Sequence, residues 1–198
     1  MDASVGDGVA GVLEVEFDAG DSLLTAAGAL LDHDGGVRVS RAREGVLRSV
    51  ANAARQREQT PVRVSAERET TARFAPDHHG ELAACDLGDR TVRAARSTFL
   101  AATGDVRVGA GRVGNAPDRG VGLFLTTLSG DGTAFLAGRG RVERVDVDGE
   151  YAVAADHVVA FDGDADVTVE RAGALEDATP VCRVAGGAVW VGTRRAER

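Results

Sequence analysis

The residues of this chain with the widest chemical range are its four histidines. His78 and His79 are adjacent and follow Asp77, His33 lies between Asp32 and Asp34, and His157 follows Asp156. Imidazoles beside carboxylates make up the donor set of a zinc site or of a general base. Adjacent residues on an extended strand face opposite ways, so His78 and His79 meet one ion only where a turn bends them together. None of the four has His-x-His spacing, and polar turn residues are the simpler reading. The run Asp162-Gly163-Asp164-Ala165-Asp166 offers the oxygen ligands that calcium takes. It lacks the spacing and closing Glu of a helix-loop-helix calcium site.

Other chemistries find less. Gly109-Ala110-Gly111-Arg112-Val113-Gly114 has the form of a dinucleotide fingerprint, which works only where a helix opens there and turns its amides to a pyrophosphate. Asn115-Ala116-Pro117-Asp118-Arg119-Gly120 follows instead, so the segment reads as an inter-strand loop. No Gly-x-Ser-x-Gly elbow is present, and Ser22, Ser40, Ser49, Ser65, Ser97 and Ser129 have no recognisable base. Cys85 and Cys182 sit in apolar contexts, too few for a tetrathiolate site and read as buried thiols. Schiff-base chemistry is excluded, because all 23 basic residues are arginine. Paired carboxylates carry no weight among 31 acids. The sequence therefore nominates no catalytic, cofactor-binding or metal-binding residue.

Charge points the same way. A formal charge of −8 with no arginine block disfavours a nucleic-acid partner. Excess Asp and Glu without Lys resembles the surfaces of proteins from salt-loving microorganisms, where screening makes self-repulsion tolerable. Aromatic residues are 4% of the chain, too few for a base-stacking platform. Trp190 and Tyr151 are the remaining conspicuous residues; Trp190 reads as core or subunit interface, and Phe99, Phe124, Phe135 and Phe161 as interior. No apolar run reaches the length of a bilayer span, and Met1-Asp2-Ala3-Ser4 does not open a secretory leader. From these features a cytoplasmic protein is expected.

The elements that must position these residues are short strands. Val12 to Phe17 alternates, with Leu13, Val15 and Phe17 on one side and Glu14 and Glu16 on the other. Pro61–Ser65, Thr70–Phe74, Glu81–Leu87 and Val142–Val147 are strands of the same kind. Val121–Leu128 and Thr133–Ala137 flank Ser129-Gly130-Asp131-Gly132, a hairpin signal, and Val181–Val184 and Ala188–Val191 flank a second at Ala185-Gly186-Gly187. Ala42 to Glu58 is alanine-rich and proline-free, with Val46, Val50 and Ala54 at intervals of four, and predicts one short amphipathic helix.

Three stretches share a layout of acidic turn, short strand, apolar strand, turn and alternating strand. They run from Gly20 to Val39, from Gly88 to Val108 and from Asp148 to Val169. A chain so organised is all-β, an antiparallel sandwich or barrel-like fold. One domain over residues 11–195 is expected, with repeats near 11–80, 81–143 and 144–198.

Several runs together resemble the AIM24 family, also called DUF124. They are Leu13–Phe17 before Gly20-Asp21-Ser22, Ala27–Leu30, Ser97–Ala101, Leu128–Leu136, Asp148-Gly149-Glu150, Asp156–Phe161, Val181–Val184 and Ala188–Arg194. The resemblance implies a fold like that of the tryptophan RNA-binding attenuator protein, built with pseudo-threefold repetition. It also implies homo-oligomers, and eukaryotic relatives linked to mitochondrial inner-membrane organisation. It brings no catalytic residues to carry over. Where many members have glycine-rich apolar loops, this chain has the charged Arg41–Glu58 and the short Gly109–Gly120.

Two functions follow as expectations. The first is a non-enzymatic scaffold that assembles with itself, a trimer being favoured, and touches a partner protein or a membrane surface. The second is a cupin-like barrel that binds a metal or small ligand, which needs histidines and carboxylates to converge in a barrel mouth. Any functional site should lie at Arg41–Arg68, at Gly109–Gly120 or at the His78-His79 turn.

Overall fold

The computed structural model describes residues 1–6, 11–42, 47–48, 61–113, 123–171 and 180–195, with residues 47, 48 and 171 described by their backbone alone. The first strands are β1 (Asp2–Val5), β2 (Leu13–Phe17), β3 (Ser22–Thr25), β4 (Leu30–His33), β5 (Val37–Arg41), β6 (Leu47–Arg48), β7 (Val62–Ala66) and β8 (Thr70–Phe74). Then come β9 (Leu82–Asp86), β10 (Thr91–Ala95), β11 (Phe99–Ala102), β12 (Asp105–Val113), β13 (Leu123–Asp131) and β14 (Thr133–Ala137). The last are β15 (Val142–Asp146), β16 (Glu150–Ala154), β17 (Val158–Asp162), β18 (Asp166–Arg171), β19 (Pro180–Ala185) and β20 (Ala188–Gly192), with one 3-10 turn at Ala155–His157.

These strands form four sheets. Sheet I has the order β1-β2-β8-β4, sheet II β5-β7-β3-β11-β14-β9, sheet III β15-β20-β17-β10-β13-β12-β6 and sheet IV β16-β19-β18. All strand pairings are antiparallel except that of β6, which runs parallel to β12 at Val108 and Gly109. The expected helix over Ala42–Glu58 lies mostly outside the described residues. Within it, Leu47 and Arg48 are extended, because the free edge of β12 offers them a ladder.

One pairing scheme occurs in three groups of six strands, namely β2, β3, β4, β5, β7, β8, then β9–β14, then β15–β20. In each, the first strand pairs with the sixth, the sixth with the third, the second with the fifth, and the fifth with the fourth. The third strand carries a register shift each time, at Leu31, Leu100 and Val159. Successive groups are joined where β11 pairs with β3 and β17 pairs with β10.

The sheets are held by three apolar cores. Leu13, Val15, Phe17 and Phe74 of sheet I meet Leu23, Val64, Leu100 and Phe135 of sheet II. On the other face of sheet II, Phe99, Ala134 and Leu136 meet Val92, Leu128 and Trp190 of sheet III. Phe161, Val189 and Leu125 of sheet III in turn meet Val153, Cys182 and Val184 of sheet IV. Sheets II and III are thus covered on both faces, which is why β11, β14 and β17 read as continuous apolar runs. Among the described residues sheet I is covered on one face only, and β2 alternates buried and exposed accordingly. Each fully buried Phe or Leu contributes about 1.5–3 kcal/mol of transfer free energy.

Two expected hairpins are corners. Strand β13 lies in sheet III and β14 in sheet II, so the Gly130–Gly132 turn carries the chain between packed layers, and Gly186-Gly187 does the same between β19 and β20. Glycine with positive φ serves a sheet-to-sheet corner as well as it serves a hairpin. At Gly132, with φ of +153°, an added Cβ would lie 2.0 Å from the Thr103 carbonyl oxygen. Residues 109–113, read as loop, instead complete the nine-residue strand β12 against β13.

Candidate functional site

The His78-His79 turn joins β8 to β9 and packs on the segment after β14. Gly80 makes the approach possible, since a Cβ there would lie 1.7 Å from the Gly138 carbonyl oxygen. The His79 carbonyl accepts the Gly140 amide at 3.3 Å. His78 Nδ1 stands 2.8 Å from Asp77 Oδ1, with the imidazole 7% exposed and the carboxylate 85% exposed. That hydrogen bond, with a smaller contribution from Arg139, holds the Asp77 carboxyl below the usual range. His78 Nε2 is buried with no hydrogen-bond partner.

The rings of His33 and His157 are spent on backbone. His33 Nδ1 accepts the Gly35 amide at 2.9 Å, and His157 Nδ1 donates to the Gly192 carbonyl at 2.7 Å. Among the described residues no three His, Cys, Asp or Glu side chains come together as a metal-holding group.

In the acidic run, Asp164 and Asp166 are exposed while Asp162 is buried. Of the fingerprint-like glycines, Gly109 and Gly111 pair with Thr127 and Leu125 in the β12–β13 ladder, and Gly114 lies outside the described residues. Both cysteines are free and buried. Burial pushes the Cys85 thiol up to about 12 and that of Cys182 to about 11, which makes both poor nucleophiles. Ser22 accepts a hydrogen bond from Arg63, Ser97 adopts a positive φ of 67° in the turn before β11, and Ser49 lies outside the described residues. Trp190 is 5% exposed under the Arg144 guanidinium, while Phe99, Phe135 and Phe161 fill the cores. Phe124 departs from the interior reading: it is 50% exposed, with Arg112 stacked 5.3 Å from its ring, because it occupies an outward position of β13.

Of the three places where a site was expected, residues 43–60 and 114–122 lie outside what is described, apart from the backbone of Leu47 and Arg48. The described chemistry gathers instead at the two ends of the stack. On sheet I, Arg73 of β8 binds Asp32 of β4 through both guanidinium and carboxylate faces, and Arg73 holds the Asp32 carboxyl below its usual range. On sheet IV, Arg183 of β19 bridges Glu170 of β18 at 2.5 Å and Glu150 of β16 at 2.6 Å. The sequence hid these networks because their members are 41, 13 and 33 residues apart. A cleft of about 650 Å³ lies beside the N-terminus, lined by Asp2, Glu16, Asp18, Asp34, Glu69 and Arg68.

Residues 4–194 match the family model described as mitochondrial biogenesis AIM24. The chain belongs to the AIM24 family. The crystal structure of a protein from Streptococcus pyogenes superimposes with a TM-score of 0.80 at 18% identity, covering 98% of this chain and 94% of that one. At that identity the likeness speaks for the fold, which this AIM24 chain shares along nearly its whole length. No curated protein matches the sequence. Among the described residues of this AIM24 chain, no helix is long and apolar enough to cross a membrane.

Proposed function

We propose that the protein is a non-catalytic scaffold of the AIM24 family, a stack of three structural repeats that acts by assembling with copies of itself and by touching a partner protein or a membrane surface. One observation carries this reading: the described interior is three apolar cores, and apart from the His78 imidazole the buried polar or charged residues among those described are Thr25, Thr70 and Asp162. An interior filled in this way supports a packing role over internal chemistry. The cupin-like alternative needs histidines and carboxylates that converge, and among the described residues no three such side chains come together. Exposed Leu31 and Val39 on edge strands, and Phe124 at an outward position of β13, offer apolar contact to a partner. The acidic surface suits a salty solvent, where such contacts form without long-range repulsion.

The test is a sedimentation mass in molar salt over a hundredfold range of concentration. A trimer or another closed ring is the expected result, and a monomer at every concentration removes self-assembly from the proposal. Metal analysis of the protein purified without chelator addresses the alternative, which a stoichiometric zinc or iron content would restore.

A further inference from the structure

The two joints between groups of strands have one form. Strand β11 or β17 pairs antiparallel with β3 or β10, placing Ala101 opposite Thr25 and Ala160 opposite Ala94. Side chains of the joining group then close the core of the group before it, with Leu100, Ala101 and Phe135 at the first joint and Val159, Ala160 and Trp190 at the second.

The ends of the stack carry the two halves of this joint unmade. Strand β4 is an edge of sheet I and β16 an edge of sheet IV. In β4 the shift falls at Leu31, and Asp32 lies opposite Arg73 as Ala101 lies opposite Phe135 and Ala160 opposite Trp190. Asp32 therefore occupies the alanine position of the finished joints, and Arg73 the aromatic one. In β16, Tyr151 lies opposite Val184 as Leu23 lies opposite Val64 and Val92 opposite Leu128. Val153 accordingly takes the place of Thr25 and Ala94. Backbone geometry at the two ends is complementary, and the side chains are not. An apolar slot that receives Leu100-Ala101-Phe135 in one joint would receive Leu31 with a charged pair. Such a pair loses more solvation on burial than its attraction recovers.

We infer that β4 and β16 are the two halves of a head-to-tail joint between copies of this chain, and that the Asp32–Arg73 ion pair is a terminator that keeps the joint from forming. Terminal repeats of stacked proteins need a polar outer face, and edge strands need charge to stop strand addition. Arg183 with Glu150 and Glu170 gives the opposite end the same protection. The inference does not depend on the scaffold reading; it names an edge that self-assembly avoids.

The test writes the first joint's residues onto the end of the stack, as Asp32→Ala/Arg73→Phe, and measures sedimentation mass against concentration in molar salt. Folding is checked by circular dichroism. The expected result is a mass rising with concentration to at least twice that of the wild type. A companion change, Ala152→Pro, blocks the other half. Gly163 donates to the Thr91 carbonyl across the second joint and Ala26 to the Leu100 carbonyl across the first, so alternation puts the matching Glu150, Ala152 and Ala154 backbone groups at the free edge of β16. Proline is tolerated there and removes a donor. Adding it to the double variant should return the mass to the wild-type value. A folded double variant with wild-type mass overturns the inference, and so does association that survives Ala152→Pro. If the double variant does not fold, Asp32→Ala/Arg73→Ala replaces it, with a smaller rise that Ala152→Pro again abolishes. Dissociation of a wild-type assembly by Ala152→Pro alone would also overturn it, whereas a monomeric wild type counts only against the scaffold.

Discussion

Asp162 Oδ2 accepts the amide of Ala188 at 2.9 Å, tying the end of β17 to the first residue of β20 at the corner where the chain leaves sheet IV. The residue is 8% exposed, and its Oδ1 is buried without a partner. An acceptor placed on an otherwise buried amide contributes mainly by preventing an orphan donor. Asp162→Ala should therefore destabilise the fold by about 1–3 kcal/mol. Asp162→Asn, which keeps an acceptor oxygen for Ala188, should cost less. Urea midpoints of the two variants decide this; equal losses would mean that the contact does not matter.

Gly80 tests the packing of the His78 turn. Its position against Gly138 leaves no room for a methyl group, since the backbone oxygen 1.7 Å away cannot rotate aside. Gly80→Ala should cost more than the about 1–3 kcal/mol of ordinary overpacking, because main chain must move. The same change at Gly20, with φ of +94° and nothing within 4 Å of the added Cβ, should cost only backbone strain. Thermal unfolding of both variants gives the comparison, and a loss at Gly80 no larger than at Gly20 would contradict the packing argument.

Phe135 and Phe124 separate buried from surface aromatics. Phe135 is 3% exposed in the core between sheets I and II, and Phe124 is 50% exposed. Phe135→Ala should cost about 3–5 kcal/mol. Phe124→Ala should change stability by less than about 1 kcal/mol, the share expected of a half-exposed ring and its arginine contact. Comparable losses from denaturant titration would contradict the layer assignment.

What the sequence disclosed depended on how local the cause was. Alternation in Leu13-Glu14-Val15-Glu16-Phe17 is a property of one strand with one wet face, and it located β2 with its buried side correctly. The partner of a strand is not a local property. Ser129-Gly130-Asp131-Gly132 has the residues of a hairpin turn, yet β13 and β14 lie in different sheets, because a tight glycine turn fits a corner equally well. Strand β1, Asp2-Ala3-Ser4-Val5, alternates over only four residues, too short a run to mark a strand by itself, and its ladder to β2 holds it. The Asp32–Arg73 and Arg183–Glu150 pairs were invisible for the same reason: each joins side chains that only the strand order brings together. The candidate chemistry of the histidines was legible as types, and its dispersal required the fold.

The two thiols make a kinetic prediction. With burial raising Cys85 to about 12 and Cys182 to about 11, the thiolate that reacts is scarce at neutral pH and shielded by the cores. An aromatic disulfide reagent at pH 8 should modify neither residue in the native protein and both after unfolding in guanidinium. The native rate should track the opening of the cores, so Phe135→Ala should accelerate it. Prompt reaction of either cysteine in the folded wild type would show that its core opens readily.

The N-terminus should act as a two-sided pH sensor for β1. The Met1 ammonium lies 3.0 Å from both Asp18 and Asp21, and the hydrogen bonds to Asp21 and Asp18 raise it above its ordinary value of 8.0. The same contact lowers the Asp21 carboxyl from 3.8. A raised ammonium contributes stability that is complete below its unfolded value and lost as pH rises through the folded one. A lowered carboxyl contributes stability present above its unfolded value and lost as pH falls through the folded one. Docking of β1 on β2 is therefore firmest between about pH 5 and 7, and loosens toward both extremes. Because these groups are exposed, molar salt should flatten the profile. Amide chemical shifts of Ala3 and Ser4, which pair with Val15 and Glu14, follow the docking directly. Acetylating the amine should remove the alkaline transition and also weaken the acidic one, since Asp21 then loses its charged partner. An alkaline transition unchanged by acetylation would assign it to another group.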